Sequence, residues 1–247
     1  MLLSAPMRTI DGEVYLITGG AGAIAHPILA AFVDAGARVG VVDRAEDRAR
    51  ARVAELPTGR AIPIVADLTS AEGAASMVRA VEVTWGRLDG LVHTAGGFAM
   101  GNLDAVEASE YDRLLDMNLR TTFHAVRAVL PSLRARGAGF LCAFASEPAL
   151  TGAAPGAALY GAAKSAVATL LHSVDGELAG TDVAVSVVYP MGVVDTAANR
   201  AAMPDADPAG FIDPVDIAEA IVHAARRSRR ARLRDLAIYP PRLRSAQ

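Results

Sequence analysis

Apolar positions along this chain follow two alternating rhythms. Short continuous runs, such as Val14-Tyr15-Leu16-Ile17 and Val39-Gly40-Val41-Val42, have the length of strands buried on both faces. Between them, apolar residues recur at helical spacing; Ile24, Ile28, Leu29, Phe32 and Val33 share one face, with Pro27 tolerable in the first turn. Followed to its end, the pattern predicts strands over 13–17, 38–42, 61–65, 88–93, 139–145, 183–188 and 236–239. After the first helix, it predicts helices over 45–56, 70–85, 107–136, 157–178 and 215–227. Alternating strands and helices imply βαβ units, hence an α/β architecture with a parallel sheet covered by helices on both faces. No repeat, low-complexity tract or linker interrupts the pattern, so one domain is expected over 1–247.

In an open parallel sheet, ligands bind beyond the carboxyl ends of the strands. Small and polar residues gather at those places: Thr18-Gly19-Gly20, Asp43-Arg44, Asp67-Leu68, Thr94-Ala95-Gly96, Ser146-Glu147 and Pro190-Met191-Gly192-Val193. The first of these continues through Ala21, Gly22, Ala23 and Ile24 into a helix, the context a dinucleotide-binding loop needs. Glycines there let the backbone approach a pyrophosphate, and the helix start offers free N–H groups with partial positive charge. A tight βα turn with nothing bound has the same composition. Asp43 shifts the balance, because a carboxylate after the second strand can accept hydrogen bonds from both adenosine-ribose hydroxyls and repel a 2′-phosphate. NAD is therefore expected ahead of NADP, although Arg44 next door could pair with that phosphate. Asp67 either caps adenine or caps the next helix.

Tyr160 and Lys164 are four apart in an alanine-rich helical stretch, so their side chains leave one helical face. An ammonium beside a phenol favours the phenolate, which makes the pair a plausible proton donor and acceptor. Bulk properties narrow the alternatives. A formal net charge of −3 gives no reason to expect nucleic acid. The arginine-rich run over 226–234 follows a helix end, where the dipole favours cations, and reads as a solvated face. The five histidines lack metal-ligand spacing, so no metal is expected. The one cysteine, Cys142, lies in an apolar run and fits a reducing compartment. Residues 1–9 lack the basic start and apolar core of a signal peptide, and no apolar run reaches membrane length. A cytoplasmic protein without membrane partners is expected.

With the glycine loop, Asp43, the Ala95-Gly96 turn, Asn118 and the Tyr160/Lys164 pair in this order, the chain resembles the short-chain dehydrogenase/reductase family from about residue 14 to 227. The resemblance implies a Rossmann-like doubly wound sheet. It implies Tyr160 as the residue that exchanges the substrate proton. Lys164 would lower the Tyr160 pKa and hold the nicotinamide ribose, Asn118 would position a water beside Lys164, and Thr196 would meet the nicotinamide carboxamide. It further implies a homodimer or homotetramer packed through helices 107–136 and 157–178, and a small-molecule substrate with a carbonyl, alcohol or C=N group.

The departures are specific. Ala23 and Ala25 occupy the last two glycine positions of the family loop, with Gly22 one residue earlier. Thirteen residues before Tyr160, where the family has a catalytic Ser, stands Glu147; one extra loop residue would return that role to Ser146. Glu147 would oppose a developing oxyanion if ionised, donate to it if protonated, bind a cationic substrate, or face solvent. Met191 looks inserted after Pro190. The Gly19-to-Ala23 loop, the Ala95-to-Phe98 turn, Glu147 and the stretch from Val194-Asp195-Thr196 to Asp207 are similar to the dihydropteridine reductase branch. Phe98, Met100, Tyr189, Met191 and Met203 are candidates for an apolar substrate pocket, under a loop over 191–213 expected to close on it. The rival reading, favoured by Ala23, Ala25 and the displaced Ser, is a non-catalytic NAD(H) sensor or scaffold.

Overall fold

The computed structural model describes residues 7–228 and 230–242, so the readings made on residues 1–6 and on Arg229 lie outside the described residues. Seven strands form one all-parallel sheet: β1 (Val14–Thr18), β2 (Arg38–Asp43), β3 (Ala61–Val65), β4 (Gly90–His93), β5 (Ala138–Phe144), β6 (Asp182–Pro190) and β7 (Asp235–Ile238). The helices are α1 (Ala25–Asp34), α2 (Glu46–Ala54), α3 (Ala71–Trp85), α4 (Ala108–Leu115), α5 (Thr121–Arg136), α6 (Pro148–Thr151), α7 (Ala158–Glu177), α8 (Ala197–Ala202) and α9 (Pro214–Ala225). Strand order is β3-β2-β1-β4-β5-β6-β7. The chain reverses its direction of travel across the sheet between β1 and β4, and that switch point is where a doubly wound sheet opens a crevice. Central strands β1 and β4 are buried at every position, which is why they read as continuous apolar runs rather than alternating ones.

Two apolar layers hold the helices on. One face packs Leu16, Leu91, Leu141 and Val185 against Met77, Val81, Val126, Val129, Val167 and Leu171 of α3, α5 and α7. The other packs Tyr15, Ile17, Val39 and Val41 against Ile28, Leu29, Phe32, Ile217 and Ile221 of α1 and α9. This is the doubly wound sheet expected from the pattern. No helix among the described residues is long and apolar enough to cross a membrane.

Three differences from the expected elements have physical causes. The helix expected over 107–136 is two helices, α4 and α5, joined by a π-helical stretch, Asp116–Arg120. There Asn118 Nδ2 donates to Leu114 O at 2.9 Å, and the Thr121 and Thr122 hydroxyls donate to Met117 O and Asn118 O at 2.8 and 2.5 Å. Side chains thus satisfy carbonyls that the widened turn leaves free. Strand β6 runs on through Pro190, because β7 pairs with it from Val187 to Pro190. Tyr189 is consequently in the core, with its hydroxyl near Asp235 and His172, and is not a wall of the substrate pocket. Finally, the loop expected over 191–213 contains α8 and a short 3-10 turn, Pro208–Gly210.

Most of the described guanidinium groups of the arginine-rich run are engaged. Arg227 pairs with Asp182 at 3.0 Å, Arg232 with Asp175 at 2.9 Å and Arg234 with Asp235 at 3.0 Å. Arg232 and Arg234 are exposed, as a solvated face requires, whereas Arg227 is buried against Asp182, contrary to that expectation.

Candidate active site

At the carboxyl ends of β1 and β4 the chain makes two close approaches, one of which, at Gly19, requires glycine. Gly19 has φ +62°, and a Cβ there would lie 2.9 Å from Ala95 N. A Cβ on Gly96 would lie 2.9 Å from Asn118 Oδ1 and 3.2 Å from Lys164 Nζ. The second approach shows that Gly96, Asn118 and Lys164 converge on one point. Asn118 is fixed there by Nδ2 donating to Gly97 O at 3.0 Å and by Gly97 N donating to its Oδ1 at 3.3 Å. Lys164, buried on α7, donates from Nζ to Phe144 O at 3.0 Å.

Tyr160, one turn earlier on α7, is half-buried, with its ring centroid 5.9 Å from Lys164 Nζ. Burial pushes its phenol pKa up, while the Ser146 hydroxyl nearby pulls it down. Ser146 Oγ makes no hydrogen bond of ordinary geometry to any described group, although it is fully buried. Its influence on the phenol is therefore one of proximity, and a buried hydroxyl left without a partner is what a substrate oxygen would satisfy. Glu147, the next residue, is exposed at the start of α6, with its amide donating to Pro190 O at 3.2 Å. The β5–α6 turn therefore aims Ser146, not Glu147, toward Tyr160.

Burial lowers the Lys164 pKa from 10.5 to about 8. The expected lowering of the Tyr160 pKa by Lys164 is absent: the shift runs upward, and Lys164 is not among its causes. Behind this group sits His93, missed as a site residue because a lone histidine at a strand end carries no spacing signal. Its Nδ1 meets Thr18 Oγ1 at 2.8 Å and its Nε2 meets Thr121 Oγ1 at 3.4 Å. Burial, helped by the Lys164 charge, lowers its pKa to about 3, so the imidazole is neutral.

The remaining expected residues frame the crevice. In the glycine loop, Gly22 N donates to Gly19 O at 2.8 Å, and α1 begins just beyond Ile24. Ala23 is exposed at the crest, whereas Ala25 turns its methyl into the core. The Ala25 methyl therefore cannot crowd a pyrophosphate. Asp43 accepts from Ala21 N and Ala45 N, both at 3.1 Å, and Arg48 donates to Ala21 O at 3.1 Å. A carboxylate has about four lone-pair sites, so Asp43 keeps capacity for two further donors. Arg44 is exposed beside it. Asp67 takes the Thr69 amide and hydroxyl at 2.9 and 2.8 Å, and Ser70, not Asp67, caps α3. Leu68 is buried behind it. Thr94 spends its hydroxyl on Thr18 O at 2.7 Å. Beyond Pro190, Val193 O accepts from Ile212 N at 2.8 Å, and Thr196 Oγ1 caps α8 by accepting from Asn199 N at 3.1 Å. Among the described residues no group of three or more His, Cys, Asp or Glu could hold a metal ion.

The close approaches at Gly19 and Gly96 bring the glycine loop, the turn after β4 and the Asn118–Lys164 group together, with the unpartnered Ser146 hydroxyl nearby on the same rim. A family model for short chain dehydrogenases matches residues 13–207. A 2-(S)-hydroxypropyl-CoM dehydrogenase of Xanthobacter autotrophicus (strain ATCC BAA-1158 / Py2) is 32% identical over 86% of this chain and 89% of its own. A metagenomic short-chain oxidoreductase solved in complex with NADP superposes with TM-score 0.80 at 25% identity, covering 95% of this chain and 100% of that one. A 3-ketoacyl-(acyl-carrier-protein) reductase from Brucella melitensis, complexed with NADH, shares the fold with TM-score 0.82 at 24% identity, over 93% and 97%.

Proposed function

This chain belongs to the short chain dehydrogenase family, and from that premise we propose that it transfers a hydride between NAD(H) and a small carbonyl, alcohol or C=N substrate. The bound dinucleotide supplies or accepts the hydride; the protein does the rest. The glycine loop with Gly19, Gly22, Ala23 and Ile24 holds the pyrophosphate by backbone amides. Asp43 takes the adenosine ribose, and Asp67 and Leu68 flank the adenine. Ala95, Gly96, Pro190, Val193 and Thr196 hold the nicotinamide end. Tyr160 gives or takes the proton at the substrate oxygen, and Ser146 donates a hydrogen bond to that oxygen where charge develops. Lys164 and Asn118 hold the ribose and a water behind Tyr160.

One observation carries this reading: four polar side chains from three separate elements, Ser146 after β5, Tyr160 and Lys164 on α7 and Asn118 in the π-helical turn, gather at the rim of one sheet. The preference for NAD rests on Asp43, since the relatives named above were solved with NADP and with NADH. Exposed Tyr111 and Phe123 on α4 and α5 support a homo-oligomer packed through those helices. The likeness to dihydropteridine reductases loses support, because it counted on a missing Ser and Ser146 lies beside the Tyr160 phenol. The test is Tyr160→Phe: turnover should vanish while NADH binding, followed by fluorescence, changes less than about twofold. Unchanged turnover would reject the proposal.

A further inference from the structure

The loop after β4 places large apolar residues in water. Phe98 and Met100 are 59% and 73% exposed, and Leu103 is exposed close behind them. A single exposed apolar side chain is commonplace, but three within six positions at the mouth of one site are a patch. Phe98 stands edge-to-face against Tyr160, with ring centroids 4.8 Å apart and planes at 86°. Beside it, a shallow recess is lined by Met100, Val106, Leu114, Leu159 and Tyr160. The loop is held rigidly in this position: Gly101 N donates to Gly156 O at 2.7 Å, and Gly101 bridges to Ala157, just before the helix that carries Tyr160. The patch is therefore registered to the reacting group by backbone hydrogen bonds rather than draped over it.

Charge at the recess is already spent. Its lining includes one charged residue, Glu110, and both carboxylate oxygens of Glu110 are taken by Arg113 at 2.6 and 2.7 Å. Arg113 is held against Glu110 and directs its Nη1 to Met117 Sδ at 3.1 Å. An anionic group placed in the recess would lose water beside the Glu110 carboxylate, which is costly. An apolar group would gain burial against Phe98 and Met100 and cover surface now wet.

We infer that the substrate carries an uncharged aromatic or bulky apolar group next to its reacting carbon, seated on Phe98 and Met100, and that Phe98 sets this preference. The inference rests on the hydride-transfer reading for its chemistry, but the seat can be read separately. With the full chain and NADH, kcat/KM is measured for acetophenone, butanone and 4-acetylbenzoate. Acetophenone should exceed both others by about tenfold or more, the scale that a well-filled apolar pocket gives. In Phe98→Ala the acetophenone-to-butanone ratio should fall about tenfold. Met100→Ala, at the more exposed position, should lower the same ratio and serves if the first variant does not fold.

A ratio unchanged in the variants, or no preference for acetophenone over butanone or 4-acetylbenzoate in the parent, overturns the inference. Where the parent reduces none of the three ketones but binds NADH, the hydride-transfer reading is left to the Tyr160→Phe test, and the seat is read by binding instead. Saturation-transfer NMR of acetophenone on parent and variant then decides the seat: binding lost in Phe98→Ala upholds it, and binding absent or unaltered overturns it.

Discussion

Replacing Lys164 with methionine should stabilise the fold at neutral pH while removing activity. Lys164 is 7% exposed, and burial has brought its pKa from 10.5 to about 8. The folded pKa lies below the unfolded one, so between pH 8 and 10.5 the unfolded chain binds more protons and stability rises with pH. Below that window Lys164 is charged in both states and the whole burial cost stands. At about 1.36 kcal/mol per pH unit, that cost is ~3 kcal/mol. Methionine has similar length and no charge to desolvate, but it forfeits the charge-assisted bond to Phe144 O, worth about 2 kcal/mol. The net gain is ~1 kcal/mol, or roughly 2–4 °C in Tm for a chain of this size. Thermal unfolding by circular dichroism at pH 7 and pH 10, without cofactor and at matched protein concentration, reads it. The variant should melt higher at pH 7, and the gap should narrow at pH 10. A variant that melts at or below the parent at pH 7, or a gap indifferent to pH, would refute the argument that Lys164 is kept against the interest of stability.

Two further outcomes follow from the same site. His93, held neutral with a pKa near 3, makes the parent lose stability as pH falls from 6.5, because the unfolded chain binds the proton and the folded one does not. In urea unfolding at pH 7 and 4.5 the parent should lose ~3 kcal/mol more than His93→Gln, which keeps both a donor and an acceptor; equal losses would show that the imidazole charges in place. Gly96→Ala pushes a methyl to 2.9 Å from Asn118 Oδ1 and 3.2 Å from Lys164 Nζ. It should cut kcat/KM about tenfold or more with a Tm change of only a few degrees, since a small displacement at a positioning group costs rate before it costs fold; full activity in that variant would place the reacting groups elsewhere.

How far the sequence could be read depended on whether a feature was local. The strands announced themselves because burial on both faces forces unbroken apolar runs, and Val39 to Val42 could hardly be anything else. Tyr160 and Lys164 were legible because helical spacing alone puts them on one face. The π-helical turn was not, since the Asn118 side chain within it is also bonded to Gly97, 21 residues away in the chain, a contact that local spacing does not announce. Neither was the choice between Ser146 and Glu147, because adjacent residues in a turn differ in direction and not in spacing. Only the fold shows that one is buried and the other exposed. Asp43 was found for its position, yet its bonds to Ala21 N and Ala45 N show a second task, tying the crest of the glycine loop to the end of β2.

The protonation states at the rim reverse the simplest expectation, and the reversal is informative. A lysine near a tyrosine should favour the phenolate, yet here the phenol pKa is raised and the ammonium pKa is lowered. Both shifts have the same leading cause, removal from water, which penalises whichever form is charged. Lys164 Nζ is turned to Phe144 O and stands 5.9 Å from the Tyr160 ring centroid, so its attraction does not outweigh that penalty. The protein by itself therefore keeps the proton on Tyr160 at neutral pH. A protonated phenol beside an unpartnered Ser146 hydroxyl presents two donors to one missing acceptor, which is the arrangement a carbonyl oxygen gaining negative charge requires. Running the reaction toward the carbonyl demands the opposite, a phenolate that accepts a proton, and the fold resists that form. Burial of the two side chains thus raises the pH at which the phenolate becomes available, and that effect does not depend on the class of substrate.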